Sequence, residues 1–388
     1  MGFGIYIHVP FCGRAKCPYC DFYSLSGKTG KIPAYLDAAG GELEEAAGGL
    51  FFSPGPVETI YFGGGTPSLL DPAGIKGLVS KIKKLWPVDR RAEITVECNP
   101  ENLESGRLAG YRQAGVTRLS CGCQSFDDQV LRQLGRCHSA AKARQALVLA
   151  AGAGFKSLSV DLIFGGPGST VSSLVMSLET ALELGADHLS LYGYHLEKGC
   201  RGYGKKRYAP AGDEQYRSQY LAACSLLESR GWSHYEISNW AASPEKFCRH
   251  NLAYWRREKA YLGIGPSAHS FIPPHLRFWN RADLEKYLET QGKSRSNVRQ
   301  EERLSEKAIL GEQVMLSLRL SSGLEARLVE LCLGQRKGPV IRKLNENGLI
   351  FVNGSGSIVL SDKGFLVYDS IVELLYSGRE FQLDKKKY

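Results

Sequence analysis

Three cysteines fall within nine residues of the segment FCGRAKCPYCDF: Cys12, Cys17 and Cys20. Three thiols are one short of the four ligands taken by tetrahedral zinc or a cubane iron–sulfur cluster. A closed zinc site needs another His or Cys, and no second C-x2-C pair accompanies this one. His8 is near in sequence, but its place on the preceding strand is expected to turn it elsewhere. Three thiolates around a [4Fe-4S] cluster leave one iron open. A small chelating molecule can fill it, and S-adenosylmethionine offers an amino group and a carboxylate for that purpose. A zinc loop completed by a distant residue stands as the alternative.

Other segments carry groups suited to such a cofactor. YFGGGTPS places Gly63, Gly64 and Gly65 in a row, which frees backbone N–H and C=O groups to approach a ligand closely. Glu97, Gln124, Arg136 and Asp161 supply an acid, an amide, a guanidinium and a second acid, able to orient hydroxyls and a carboxylate. Taken singly, each is as readily a structural salt-bridge or hydrogen-bond partner. Their common position at strand ends sets them apart as a group.

The elements that must position these residues are legible in the hydrophobic pattern. Segments 4–9, 57–62, 93–98, 117–123, 156–164 and 187–194 are short and rich in β-branched or aromatic residues, and read as strands. Amphipathic stretches at about 32–49, 72–85, 102–114, 127–135, 139–153 and 170–185 have helical spacing. This alternation predicts an α/β fold with a parallel sheet, curled like a TIM barrel, whose active site lies at the C-terminal ends of the strands. The cysteine loop, GGGTPS, ECNPEN, CQSF and DLIFGGPG each end or follow one of these strands, so motifs distant in sequence face one cavity. Residues 1–210 form this barrel core, 211–300 an extension of it, and 301–388 a mainly helical, winged-helix-like domain. In that last part, helices at SEKAILGEQVMLSLRL, LEARLVELCLG and PVIRKLNENGL precede a hairpin, LIFVNGSGSIVLS, and one final helix, GFLVYDSIVELLYSG.

Composition limits the function classes. The 388 residues are 43% hydrophobic and 23% charged, as in a globular protein, with 44 glycines to serve tight turns. The segment MGFGIYIHVPFC reads as a buried strand rather than a signal peptide. No apolar run is long enough for a membrane helix. A cytoplasmic location is therefore expected, with peripheral membrane contact left open. In that compartment eleven cysteines point to metal binding, catalysis or buried thiols rather than disulfides. Cys98, Cys121, Cys123, Cys137, Cys200, Cys224 and Cys332 are expected to pack, with Cys98, Cys121 and Cys123 nearest the cavity. The net charge of +9 is spread along the chain. Arg336, Lys337, Arg342 and Lys343 around a winged-helix element and the basic tail DKKKY do not amount to a nucleic-acid site, and none is expected.

YIHVPFC…CPYCDF, GGGTPS, RLSCGCQSFDDQVLRQLGR, DLIFGGPGST, HYEISNWA, RHNLAYW and YLGIGPSAHSF together resemble the HemW branch of the radical S-adenosylmethionine superfamily. Its relatives are the oxygen-independent coproporphyrinogen III oxidases. The resemblance spans nearly the whole chain and implies an incomplete (β/α)6 barrel. It implies a [4Fe-4S] cluster on Cys12, Cys17 and Cys20, with S-adenosylmethionine on the open iron. It further implies Tyr6 near the methionyl group, Gly64, Gly65 and Thr66 on its amino group, and Glu97, Gln124, Arg136 and Asp161 around carboxylate, ribose and adenine. The family's haem-linked motif H-N-x-x-Y-W is present as His250-Asn251-Leu252-Ala253-Tyr254-Trp255, flanked by Arg249, Arg256 and Arg257 that could pair with propionates. His250 is thus a candidate haem contact, against the alternative of a purely structural histidine.

Three departures qualify the likeness. The family spacing C-x3-C-x2-C is here C-x4-C-x2-C. The oxidases carry a further cysteine two positions after the third ligand, where this chain has Phe22, and an N-terminal extension that is not expected here, since the cysteine loop begins only 11 residues in. His195 stands where a small or neutral residue is expected. The function implied is a haem chaperone that binds haem, the cluster and S-adenosylmethionine and passes haem to acceptor proteins, respiratory ones among them. The alternative is an enzyme acting on a tetrapyrrole, either coproporphyrinogen III oxidation or anaerobic haem modification, with the oxidase activity disfavoured.

Overall fold

The computed structural model describes residues 2–13, 15–49, 55–292, 299–334 and 337–377. Arg336 and the tail at 384–388 lie outside the described residues.

The first strand, β1 (Phe3–Val9), shows how the barrel is made. Side chains alternate across a strand. Ile5, Ile7 and Val9 are fully buried in the core beneath the helices, and Gly4, Tyr6 and His8 turn into the lumen. Five more strands follow in parallel: β2 (Val57–Gly64), β3 (Val88–Cys98), β4 (Arg118–Gln124), β5 (Ser157–Phe164) and β6 (His188–Gly193). Between them run α1 (Ile32–Ala47), α2 (Pro72–Leu85), α3 (Ser105–Gln113), α4 (Asp128–Leu134), α5 (Ala140–Gly152) and α6 (Val171–Glu183). Local signals fix several helix ends. Asp127 and Ser139 cap the starts of α4 and α5, and Thr170 and Ser173 close a capping box on α6. Gly135, at φ 72°, ends α4 in the left-handed region that glycine favours.

The sheet continues past these six strands on both sides. After α7 (Asp213–Ser229), β7 (Ser233–Glu236) and β8 (Asn239–Ala241) add antiparallel to the β6 edge. After α8 (Arg249–Trp255), β9 (Ala260–Ile264) lies parallel beside β1, and β10 (His269–Ile272), β11 (Leu276–Asn280) and β12 (Arg299–Arg303) continue antiparallel from it. The twelve strands run β12-β11-β10-β9-β1-β2-β3-β4-β5-β6-β8-β7. Strands β7–β12 thus share one sheet with β1–β6. A buried carboxylate holds the added edge: Glu42 on α1 accepts hydrogen bonds from Gly265 N at 2.8 Å, Asn280 Nδ2 at 2.7 Å and the Tyr287 hydroxyl at 2.7 Å, and pairs with Arg299 at 3.2 Å. Its lone pairs are filled, which is what makes a buried carboxylate tolerable.

The C-terminal part holds α10 (Glu306–Ser317), α11 (Ala326–Leu333), α12 (Lys337–Glu346), the hairpin β13 (Ile350–Val352) with β14 (Ile358–Leu360), α13 (Asp362–Leu366) and α14 (Tyr368–Ser377), after a short α9 (Leu284–Glu289). The single last helix expected from GFLVYDSIVELLYSG is in fact two. The chain breaks at Val367 (φ −120°, ψ 24°), which lets Phe365 bury while the Tyr368 hydroxyl donates to Met315 O at 2.5 Å. Lys337 is paired with Glu330 at 2.9 Å. Among the described residues no helix is long and apolar enough to cross a membrane.

Candidate functional site

A cavity of about 520 Å³ opens at the C-terminal ends of the parallel strands. Its lining includes Cys12, Cys17, Cys20, Gly64, Gly65, Thr66, Glu97, Gln124, Arg136, Asp161 and His195. Five strand ends and the cysteine loop therefore meet in one space.

The loop is held from several sides. Phe11–Cys12 pairs with Leu25–Ser26, which closes its base. Gly65 N donates to Val9 O at 2.8 Å and Thr66 N to Phe11 O at 2.7 Å, tying it to the glycine turn. His8 Nε2 sits 2.7 Å from Tyr23 O, so His8 serves the loop's backbone and leaves the cavity lining. Gly202 N donates to Pro18 O at 2.8 Å, and the Cys200 thiol to Tyr19 O at 3.2 Å. The Arg136 guanidinium reaches Cys17 Sγ at 3.5 Å. With the extra residue before Cys17, all three cysteines still border the cavity, each half-buried and unbridged. Burial pushes the Cys20 thiol up to about 11. Its anion therefore calls for a cation or metal beside it.

The glycines are required by space. Gly64 has φ 108°, and a Cβ there would lie 2.6 Å from the His8 ring. A Cβ on Gly65 would lie 2.5 Å from Phe11 O. Gly64 N is left to donate to Glu97 Oε2 at 3.2 Å, and the Tyr61 hydroxyl donates to Glu97 Oε1 at 2.8 Å. Burial, reinforced by nearby Asp161, raises the Glu97 carboxyl to about 7. Asp161 is raised by burial as well, against the Ser120 hydroxyl that donates to it at 2.9 Å. Arg136 donates to Asn99 Oδ1 at 2.9 Å and to Gly122 O at 2.8 Å. Gln124 holds φ 66° at a break in the β4–β5 pairing, a costly conformation for a non-glycine residue that aims the side chain into the cavity. Gln124 Oε1 and Arg136 Nε are buried without a protein partner, so acceptor and donor capacity remains at the wall.

Tyr6, expected at the methionyl group, lies one layer deeper. Inward residues two apart on a strand differ in depth by about 6.6 Å. His8 is on the level of Gly63, and Tyr6 is on the level of Tyr61, below Glu97. Cys121 and Cys123 also turn away, into the core, with their sulfurs 3.6 Å apart. Cys137, expected to pack, is exposed and borders the cavity. Asn99, in the ECNPEN segment, also belongs to this wall. It bridges Arg136 to the Thr66 hydroxyl (3.4 Å), and an Asn immediately after a strand is the only signal the sequence held for it.

The HNLAYW segment forms α8 and plugs the opposite, N-terminal end of the lumen. His250 is buried and lies outside the cavity lining. Its Nδ1 is 2.7 Å from Thr59 Oγ1 and its Nε2 is 2.9 Å from the Tyr254 hydroxyl. It stacks on Tyr61, with centroids 5.0 Å apart, and beneath Tyr6 at 6.2 Å. Burial lowers its imidazole to about 3, so it is neutral at pH 7. Beside it a basic crevice of about 340 Å³ is lined by Arg249, Arg256, Lys259, Glu58 and Thr59. Arg257 is taken by Glu312 and Pro274 O. His195 is exposed at the cavity mouth, 3.4 Å from the Tyr216 hydroxyl.

The Radical SAM superfamily matches residues 6–181. The chain is 35% identical over 379 residues to a Mycobacterium tuberculosis protein named heme chaperone HemW, covering 96% of this chain and 94% of that one. A Bacillus subtilis protein of the same name is 32% identical over 376 residues, covering 94% and 97%. In three dimensions the chain is similar to the Escherichia coli coproporphyrinogen III oxidase HemN, a radical SAM enzyme, with TM-score 0.81 over 97% of this chain and 91% of that one. At 23% identity this likeness concerns the fold. By sequence along nearly its full length, and by its barrel, the chain belongs to the HemW family of the radical SAM superfamily.

Proposed function

We propose that the protein is a haem chaperone that binds a [4Fe-4S] cluster, S-adenosylmethionine and haem, and hands haem to acceptor proteins. The single observation that carries the cofactor part is the convergence of three free thiols, the Gly64–Gly65 backbone and the unpaired Gln124 and Arg136 atoms on one cavity. These residues fit the two groups: Cys12, Cys17 and Cys20 would hold the cluster, and Gly64, Gly65, Thr66, Glu97, Gln124, Arg136 and Asp161 the cofactor. When bound, the pair supplies one-electron reductive cleavage of a sulfonium bond. The chain's own residues set the surroundings. Arg136 offsets thiolate charge at Cys17, Gly64 and Gly65 permit close approach, and the Glu97 and Asp161 carboxyls, both raised by burial, face the space where a ligand amine or hydroxyl would lie.

For haem, His250 is the proposed contact, and the crevice lined by Arg249, Arg256 and Lys259 supplies cations for propionates. An iron held by His250 would take the place of its Thr59 or Tyr254 hydrogen bond. The neutral imidazole that burial enforces is the form that ligates iron. His195 is the competing histidine at the other end.

Anaerobic reconstitution followed by parallel haem and S-adenosylmethionine titrations tests both parts. About four irons per chain, a saturable S-adenosylmethionine isotherm, and a Soret shift that weakens in His250→Ala but not in His195→Ala are expected. A Soret shift unaffected by either substitution, or none at all, overturns the haem assignment. Transfer is read as Soret intensity passing to an added apo-acceptor. Formation of protoporphyrinogen from coproporphyrinogen III in the same assay would replace the chaperone by the enzyme.

A further inference from the structure

Away from both ends of the barrel, three side chains from different parts of the chain meet at the seam between barrel and C-terminal domain. Cys224 comes from α7, His234 from β7 and Asp362 from the first turn of α13. One donor atom from each lies within 4.8 Å of the other two. His234 Nδ1 is 3.3 Å from Asp362 Oδ1. Two nitrogen or oxygen ligands around a tetrahedral zinc, at bonds of about 2.0–2.1 Å, are separated by about 3.4 Å. The imidazole is locked in place. It stacks on the buried Trp240 ring with centroids 3.9 Å apart and planes at 10°, and Phe365 closes on it at 4.8 Å. One polar atom at this seam, His234 Nε2, is buried without a hydrogen-bond partner. Asp362 is 41% exposed, which leaves an entry path and room for water in a fourth position.

We propose that Cys224, His234 and Asp362 bind one zinc ion that fastens the C-terminal domain to the barrel. A thiolate, an imidazole and a carboxylate are the donor set a borderline-soft ion selects, and magnesium or calcium would want oxygen alone. Binding replaces the Cys224 thiol proton, released to solvent, with a sulfur–zinc bond, and no electron moves. The three ligands enclose a long stretch of chain, so the ion ties α7 and β7 to α13 in a way that packing of Phe365 on His234 alone does not.

The test uses the full-length protein with its iron–sulfur content measured in the same samples. After anaerobic purification and incubation with zinc followed by desalting, one zinc per chain is expected. Asp362→Asn and Cys224→Ser are each expected to lose it with iron and sulfide unchanged. Cobalt in place of zinc is expected to give a near-ultraviolet thiolate charge-transfer band and visible bands of tetrahedral cobalt, absent in Cys224→Ser and kept in Cys137→Ser. Because Cys224 is buried and its variant could fold poorly, the half-exposed Asp362→Asn carries the decision, with a thermal scan as its control. Zinc is expected to raise the Tm of the unaltered protein and leave that of Asp362→Asn unmoved. Zinc retained by Asp362→Asn, zinc that instead follows Cys17→Ala, or no zinc and no cobalt band at all would overturn the proposal.

Discussion

The two ends of the barrel lumen are made by the same parallel strands and are finished differently. At the C-terminal end, Glu97, Asp161, Gln124 and Arg136 surround about 520 Å³ of open space, with Gln124 Oε1 and Arg136 Nε unpaired. At the N-terminal end, polar groups pair with one another across the lumen, with Arg118 Nη1 left over. Glu93 pairs with Arg118 at 3.0 Å and accepts from His250 N at 3.2 Å. His188 is held between Ser159 at 2.7 Å and the Tyr235 hydroxyl at 2.8 Å, as His250 is between Thr59 and Tyr254. Residues of similar chemistry are therefore left open to a ligand at one end and hydrogen-bonded to one another at the other, where a ligand on His250 would have to displace one of those bonds. An inward polar residue gains its role from what faces it, and β3 supplies both kinds in Glu93 and Glu97, four positions apart.

Substitutions should separate the ends, and the largest expected effect is at the open one. Replacing Cys12, Cys17 or Cys20 with Ala should abolish the broad cluster absorbance and bound sulfide while leaving the urea midpoint of the cluster-free protein near that of the unaltered chain. At the closed end the effects should reverse. Glu93→Gln leaves the buried Arg118 charge without its partner, and loss of about 3–5 kcal/mol in urea unfolding is expected, with cluster content per folded molecule retained. Cluster loss there without a stability change would erase the distinction.

His250→Ala should cost about 1–3 kcal/mol for each hydroxyl it orphans, Thr59 and Tyr254, and should leave S-adenosylmethionine affinity within a few-fold. A large fall in that affinity would mean the plug and cavity are coupled through the Tyr61 stack. The smallest effect is expected from Glu97→Gln. In the folded protein this carboxyl holds its proton up to about 7, against an ordinary 4.5. The folded state thus binds more protons than the unfolded one between those values, and Glu97 costs stability increasingly as pH rises through that window. The Tm advantage of the Gln variant should therefore grow from pH 4.5 to 7 and then level. Some slope should persist in the variant, because burial also raises Glu236 to about 7.

Much of the cavity could be read along the chain because its parts sit at strand ends, and a strand end is a local feature. Residues 4–9 and 57–62 alternate or run apolar, the glycines follow, and parallel pairing then puts them side by side. Depth inside the lumen was not legible in the same way. Tyr6 and His8 are both inward on β1, and only the register with β2 reveals that Tyr6 sits a layer below the cavity. The edge strands β7–β12 were also hidden. They are three to five residues long, and their stability comes from partners such as Glu42, more than 200 residues away in sequence from Gly265, Asn280 and Tyr287.

By itself the sequence determined the strand–helix alternation, the cysteine loop with its open valence and the family to which its motifs belong, because each is encoded by neighbours in the chain. The tertiary structure decided which polar residues face empty space, that HNLAYW closes the barrel from below, and that Cys224, His234 and Asp362 converge at the domain seam. Those outcomes depend on strand register and on how helices pack on the finished sheet, and such distances are set by the whole core at once.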